Sequence, residues 1–382
     1  MTGQGGPLGS VYDRLGVKRY INAAATITAY GGSIMEPVVL QAMSEAAASY
    51  VDIVDLGRRA GDQIAAWTGN EAALVTNGAA AGIVLATAAV IAGDDPVARA
   101  NLPQTDGRAN QVVVCRAGAA HYDFAVRLGG GRRVSYGDDS RGTAEQLEAA
   151  LSDQTAAILT FYYDQRMANQ PALSDQIRIA HAHGLPLIVD AAAQLPPKAN
   201  LWRLTGAGAD LVIFSGGKGL RGPQSSGLML GRRDLIERIR TLASPNEGVG
   251  RPMKVGKEEI IGLMTAVRIF LDQDEAATLA DYERQVHQVV EAFHGDAAVD
   301  VVRGFPSEAG QPMPWAVVTP RPGALTTDAA GLAAQLKQGS PGVLVLSRDG
   351  QLQINPQTLL PGEIDTVIDR LRQVLAANRR LT

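Results

Sequence analysis

Apolar residues in this chain gather into short continuous runs, with helical patterns standing between them. From about Glu71, "EAALVTN" predicts a strand and "GAAAGIVLATAAVIAG" a buried helix over Gly78 to Gly93. "QVVVCR" reads as strand, "TAEQLEAALS" as helix and "AAILTFYY" as strand. "LSDQIRIAHAHG" is a helix with Ser174 as N-cap and Gly184 as its stop. "LPLIVDAAA" is a strand ending in a carboxylate, "LWRLTGAGA" a helix and "DLVIFSGG" a strand. Continuous apolar strands separated by helices predict a mostly parallel sheet covered on both faces. The next strand, "SGLMLGR", follows a short turn and is open to antiparallel pairing. Past Arg251 the pattern changes. A long helix is expected from about Lys257 to His294, then short strands "WAVVTPR", "GVLVLSR" and "LQINP", then a closing helix with Pro361 in its first turn. No internal repeat is visible.

Length divides this pattern. A chain of 382 residues exceeds one ordinary core. The reading is an N-terminal segment over 1–50 (a Gly-rich disordered lead, then an arm and helix on the small domain), a large domain over 51–250, and a small α/β domain with a long linking helix over 251–382. The stretches Asp94 to Asn110 and Ser307 to Pro312 are the candidate surface insertions. Apolar residues are 46% and charged residues 19%, a globular composition, and a net charge of -4 gives no reason to expect nucleic acid or an anionic membrane as partner. One cysteine, Cys115, excludes an internal disulfide and a cysteine-based zinc site; its place after "QVVV" makes it a buried strand residue. The longest weakly polar run is sixteen residues, short of the ~20 of a membrane span. The lead lacks the basic-then-apolar order of a signal peptide. The expected location is cytoplasmic.

Ligands of open parallel sheets bind at the carboxyl ends of the strands, and three segments converge there. "TNGAAAG" joins a strand to the Ala-rich helix, where free N–H groups and the helix dipole suit an anion; a plain turn is the alternative. "IVDAAAQLPP" puts Asp190 at a strand end, where a carboxylate among apolar residues is costly unless paired. It is either an N-cap for the next turn or the partner of a bound cation. "DLVIFSGGKGLRGPQSSGLML" puts Lys218 just past a strand end, 28 positions after Asp190 (218 − 190), with Ser215 near enough to bond a phosphate. A lysine in a narrow, partly dry site has a lowered pKa and becomes nucleophilic. A P-loop fails on spacing, because Val212 stands where its first Gly belongs and Gly219 where its Ser/Thr belongs. A surface-loop lysine is the bland alternative, against which the two flanking apolar strands argue. Together the three describe a pyridoxal-phosphate site: helix N-terminus for the phosphate, Asp190 for the ring nitrogen, Lys218 for the Schiff base.

"SGGKGLRGPQSSGLMLGR", "IVDAAAQLPP" and "RPMKVGKEEI", with "YINAAATITAYGGSIM" and "AGDQIAAWTGNEAALVTNGAAAGI" upstream, resemble the fold-type-I pyridoxal-phosphate proteins related to bacterial selenocysteine synthase. Within that family they are most similar to the subgroup of D-glucosaminate-6-phosphate ammonia lyases. The resemblance runs from about Tyr12 to Leu375. It implies a large, mainly parallel seven-stranded sheet, phosphate-binding amides at Gly78, Ala79 and Ala80 helped by Ser215, and a homodimer or higher symmetric homo-oligomer. Softer assignments follow. His121, or its neighbour Tyr122, would stack on the ring, and Gln194 would approach the cofactor's 3-hydroxyl. Arg251, Lys254 and Lys257 would clamp a phosphorylated or carboxylated substrate, unless they are only a solvated helix start. Arg348 would hold an α-carboxylate.

The reaction implied is loss of a Cα proton from an amino acid bound to the cofactor. Departure of a 3-hydroxyl and release of ammonia would then leave a 2-keto-3-deoxy acid. The same scaffold supports racemisation or epimerisation, β-replacement and retro-aldol cleavage. Selenium transfer is disfavoured by the absence of basic bias. A non-catalytic pyridoxal-phosphate-binding protein is the second class, against which the intact Asp190 and Lys218 pair argues. No metal is expected.

Overall fold

The computed structural model describes residues 10–118, 122–163 and 167–380. Thirteen strands stand among the described residues: β1 (Tyr20–Asn22), β2 (Ala72–Thr76), β3 (Gln111–Cys115), β4 (Arg132–Tyr136), β5 (Thr155–Phe161), β6 (Leu187–Asp190), β7 (Leu211–Ser215), β8 (Gly227–Gly231), β9 (Val299–Gly304), β10 (Trp315–Pro320), β11 (Gly342–Leu344), β12 (Leu346–Arg348) and β13 (Gln351–Ile354). The chain divides into two compact units. The larger holds Gly31–Glu275 and Glu308–Pro312, and the smaller holds the rest.

The larger unit is built on a seven-stranded sheet in the order β2-β8-β7-β6-β5-β3-β4. β7, β6, β5, β3 and β4 run parallel, and β8 lies antiparallel between β2 and β7. The strands are apolar on both faces because each face has its own core. Val113, Val189, Val212 and Phe214 pack toward helices Ile53–Thr68, Leu173–Ala182 and Lys257–Asp272. Their neighbours Val112, Val114, Ile188 and Ile213 point the other way, as the period of two requires, toward helices Gly78–Ala92 and Arg233–Leu242. Helix Gly78–Ala92 is buried along most of its length, and Gly82 approaches Ile213 and Met229 closely. This is the small-residue packing expected of it. Cys115 is buried at the end of β3.

The smaller unit carries an antiparallel sheet of order β12-β13-β10-β9 and the parallel pair β1-β11. Helices Ala329–Gln338 and Glu363–Asn378 contribute Leu332, Leu336, Val367 and Leu371 to its core, beside Ala316 and Val318.

Several boundaries differ from the sequence reading. Residues 31–50 and 251–275 belong with the larger unit, since helix Pro37–Ala47 packs on Lys257–Asp272. The single helix expected over Lys257 to His294 is two, Lys257–Asp272 and Glu275–Ala292, because Gln273 turns extended with ψ 147°. Ser174 is not an N-cap. The helix begins at Leu173, capped by the backbone of Ala172, whose carbonyl accepts from Gln176 N at 3.1 Å. Pro361 stands ahead of its helix, whose N-cap is Gly362. "GVLVLSR" splits into β11 and β12, and β9 carries no signal that the sequence reading used. The Asp94 to Asn110 stretch contains a short helix, Pro96–Asn101, that buries Ala98. The Ser307 to Pro312 stretch is no surface insertion: Ser307 and Gln311 are buried, at 0% and 2% exposure. Among the described residues, no helix is long and apolar enough to cross a membrane.

Candidate active site

β5 and β6 end level, with Phe161 opposite Asp190, while β7 runs two residues past Ile213, the residue opposite Asp190. Asp190 is therefore delivered to the carboxyl edge of the sheet, and small residues Ala191 to Ala193 follow it. Its side chain is 4% exposed. One oxygen, Oδ1, accepts from Ala192 N at 2.9 Å; the other takes no hydrogen bond among the described residues. One oxygen of the carboxylate holds its own turn, as the N-cap reading expects, and the other is left over. Burial pushes its pKa up to about 6, against the lowering pull of the Ala192 N–H and of the Lys218 charge.

Lys218 follows β7 on a tight turn. Gly216 N donates to Ser226 O at 2.9 Å, Gly222 N to Gly216 O at 2.8 Å and Arg221 N to Lys218 O at 2.9 Å. The glycines are there for close approach: a Cβ on Gly219 would run into the Leu195 carbonyl, and one on Gly216 into Ser226. Lys218 is half-buried, and its Nζ has no hydrogen-bond partner among the described residues. Desolvation lowers its pKa, opposed by the charges of Asp190 and Glu308. An amine so desolvated can act as a nucleophile.

The third element is the start of helix Gly78–Ala92. Its N-cap, Asn77, makes no capping bond; the Asn77 amide instead donates to the Lys254 carbonyl at 2.9 Å. The first N–H groups of the helix are left without a side-chain cap. Gly78 has φ +80°, which suits glycine, and the space a Cβ would enter there is open. The Ser215 hydroxyl is half-buried and has no partner among the described residues. An uncapped helix start, an unpartnered amine and a half-used buried carboxylate, all in one unit, fit pyridoxal phosphate.

The other assignments fare differently. Gln194 is buried at 2% exposure, and one N–H of its amide donates to the Ala309 carbonyl at 2.6 Å, which leaves the oxygen and the other N–H. Arg251 and Lys254 are exposed, with Arg251 Nε 4.0 Å from Glu247. Lys257 is committed to Glu258 and to the Ala47 carbonyl. Arg348 is exposed at the end of β12 in the smaller unit, opposite Gln351. His121 lies outside the described residues; Tyr122 is exposed at the start of helix Asp123–Leu128.

The sequence reading missed what braces the lysine turn. Ser33 Oγ donates to the Gly217 carbonyl at 3.0 Å. Arg221, at φ +55°, reaches Glu36 at 3.0 Å and the Ile34 carbonyl at 3.2 Å. Glu308, whose charge acts on Lys218, was also missed. These partners lie about 90 to 190 positions from the turn, where no local pattern reports them.

Comparison with known proteins places the chain among relatives. A D-glucosaminate-6-phosphate ammonia lyase of Salmonella typhimurium is 34% identical over 377 residues, 96% of this chain and 98% of that protein. A 5'-C-glycyluridine monooxygenase-decarboxylase of a Streptomyces species is 33% identical, over 95% of this chain and 92% of its own. A solved structure of a D-glucosaminate-6-phosphate ammonia-lyase superposes with a TM-score of 0.83 at 32% identity, covering 99% of both chains. The architecture is that of the fold-type-I pyridoxal-phosphate enzymes. The family model for SelA, L-seryl-tRNA selenium transferase, matches residues 21–298, and the chain belongs to that family.

Proposed function

We propose that this protein is a pyridoxal-phosphate-dependent lyase that dehydrates and deaminates a 2-amino-3-hydroxy sugar acid, giving a 2-keto-3-deoxy acid and ammonia. The observation that supports it most is the half-buried, unpartnered amine of Lys218 in the field of the buried carboxylate of Asp190. The Salmonella relative's name supplies the substrate class, and 2-amino-2-deoxy-D-gluconate 6-phosphate is the substrate to try first.

When bound, pyridoxal phosphate supplies an electron sink for charge that develops at the substrate Cα. Lys218 would hold it through the amine, the amides of Gly78, Ala79 and Ala80 with the Ser215 hydroxyl would take its phosphate, and Asp190 would face its ring nitrogen. The unused Asp190 oxygen then keeps a proton on that nitrogen, which in turn favours the ionised carboxylate. Desolvation lowers the proton affinity of Lys218 and so favours its free amine, which makes Lys218 the base for the Cα proton. The Gln194 oxygen and His121 are the remaining ring contacts in this reading. Arg251 and Lys254 take the substrate's acidic end, on a loop tied to Asn77. A symmetric homo-oligomer belongs to the same proposal.

The test is ammonia release from that substrate under anaerobic conditions, beside the visible spectrum of wild type and Lys218→Ala. Ammonia without oxygen uptake, and an absorption band that borohydride traps on Lys218, support the lyase. Turnover that needs oxygen and releases carbon dioxide would sink it in favour of chemistry like that in the Streptomyces relative's name.

A further inference from the structure

Glu308 lies on a five-residue strap, Glu308–Pro312, that belongs to the larger unit although the chain before and after it belongs to the smaller. Two bonds pin the strap. The Gln194 amide donates to the Ala309 carbonyl at 2.6 Å, and the Gln311 amide donates to the Leu195 carbonyl at 2.7 Å. Gln194 and Leu195 follow Asp190 by four and five positions, and the same Leu195 carbonyl lies against Gly219, the residue after Lys218. The strap is thus fixed to the Asp190 loop, and that loop to the lysine turn. The Glu308 carboxylate acts on the Lys218 amine, as Asp190 does. Asp190 is buried at a strand end and assigned to the ring nitrogen. Glu308 has no part in the chemistry described so far.

The proposed dehydration needs such a group. Hydroxide leaves poorly, and Lys218 is occupied with the Cα proton. We propose that Glu308 is the general acid that protonates the departing 3-hydroxyl, an inference that rests on the lyase reading. As the Cα–H bond breaks, its proton goes to the Lys218 amine and its electron pair forms the Cα–Cβ double bond. The Cβ–O bond breaks with its own pair, and the oxygen takes the Glu308 proton and departs as water. Lys218 is left as ammonium and Glu308 as carboxylate, and passing one proton from the first to the second restores both.

The test uses full-length holoenzyme with Glu308→Gln and Glu308→Asp, on a 2-amino-3-hydroxy acid and on its 3-chloro counterpart, whose leaving group needs no proton. Glu308→Gln should lose about 100-fold or more with the hydroxy substrate and far less with the chloro substrate; Glu308→Asp should recover part of the loss. A second readout needs no turnover. The rate at which acetic anhydride labels Lys218 in the cofactor-stripped chain, followed against pH, should shift to lower pH in Glu308→Gln. Equal losses with both leaving groups, or an unmoved labelling profile, overturn the proposal. Wild type that turns over neither substrate overturns the lyase reading itself, and the labelling profile still shows whether Glu308 faces the amine.

Discussion

Asp190 and Asp210 are both buried, at 4% and 3% exposure, and lie at opposite ends of neighbouring strands. Asp210, at the amino end of β7, is surrounded. His181 Nε2 stands 3.0 Å from Oδ2, Leu187 N donates to the same oxygen at 2.8 Å, and Arg232 Nη1 meets Oδ1 at 2.9 Å. Asp190, at the carboxyl end, accepts from a single N–H among the described residues. Burial is equal and satisfaction is not. One carboxylate spends its charge on holding helix, strand and loop together. The other keeps an uncompensated cost, which a cationic ligand would relieve.

The contrast can be broken at several points. Replacing Lys218 with Ala should cost the most, about 10²–10⁴-fold in turnover for the base alone, with no trapped chromophore; residual turnover near wild type would remove the lysine from the chemistry. Asp210→Ala should do the reverse. It should lose about 1–3 kcal/mol of stability, mostly through the Leu187 N–H left unpaired, while leaving the visible band in whatever protein folds, as paired denaturation and absorption measurements would show. Asp190→Asn should weaken cofactor binding yet stabilise the cofactor-free chain. The sign follows from the raised pKa. With a folded value of about 6 against 3.8 unfolded, the folded chain binds more protons between these values. Its stability is therefore intact below pH 4 and falls as pH rises through 6. Removing the carboxylate should return about 3 kcal/mol at pH 7 and nothing at pH 3.5. Denaturant unfolding at both pH values decides it, and equal gains would mean that burial of the charge is not the cause. The smallest effect is expected of the double variant Arg251→Ala/Lys254→Ala, about a tenfold rise in KM, or 1.4 kcal/mol, for phosphorylated substrate only. Equal KM changes for unphosphorylated substrate would dismiss the clamp.

What the sequence disclosed were features written locally. The apolar strands, the Gly-rich lysine turn and the carboxylate after "LIV" each sit within a dozen residues, and the parallel sheet brings their ends together as strand-end reasoning requires. Boundaries set by distant packing were illegible. No Gly or Pro marks the break at Gln273, and nothing in "SEAGQP" announces that Gln194 and Leu195 hold that segment. Ser174 misled because a serine near a helix start is a good cap only when the helix waits for it, and here the backbone had already turned at Ala172.

The antiparallel seating of β8 has a consequence in time. β2 pairs with β8 alone, and Thr76, just before the helix that starts at Gly78, lies opposite Gly227, 151 positions later (227 − 76). At ~5–20 residues per second of synthesis, the ribosome needs roughly 8 to 30 s to supply that partner. Until then β2 has no neighbour in the sheet. A growing chain therefore displays Lys218 before it has anything complete to offer the cofactor, and loading must wait for the strand that comes last.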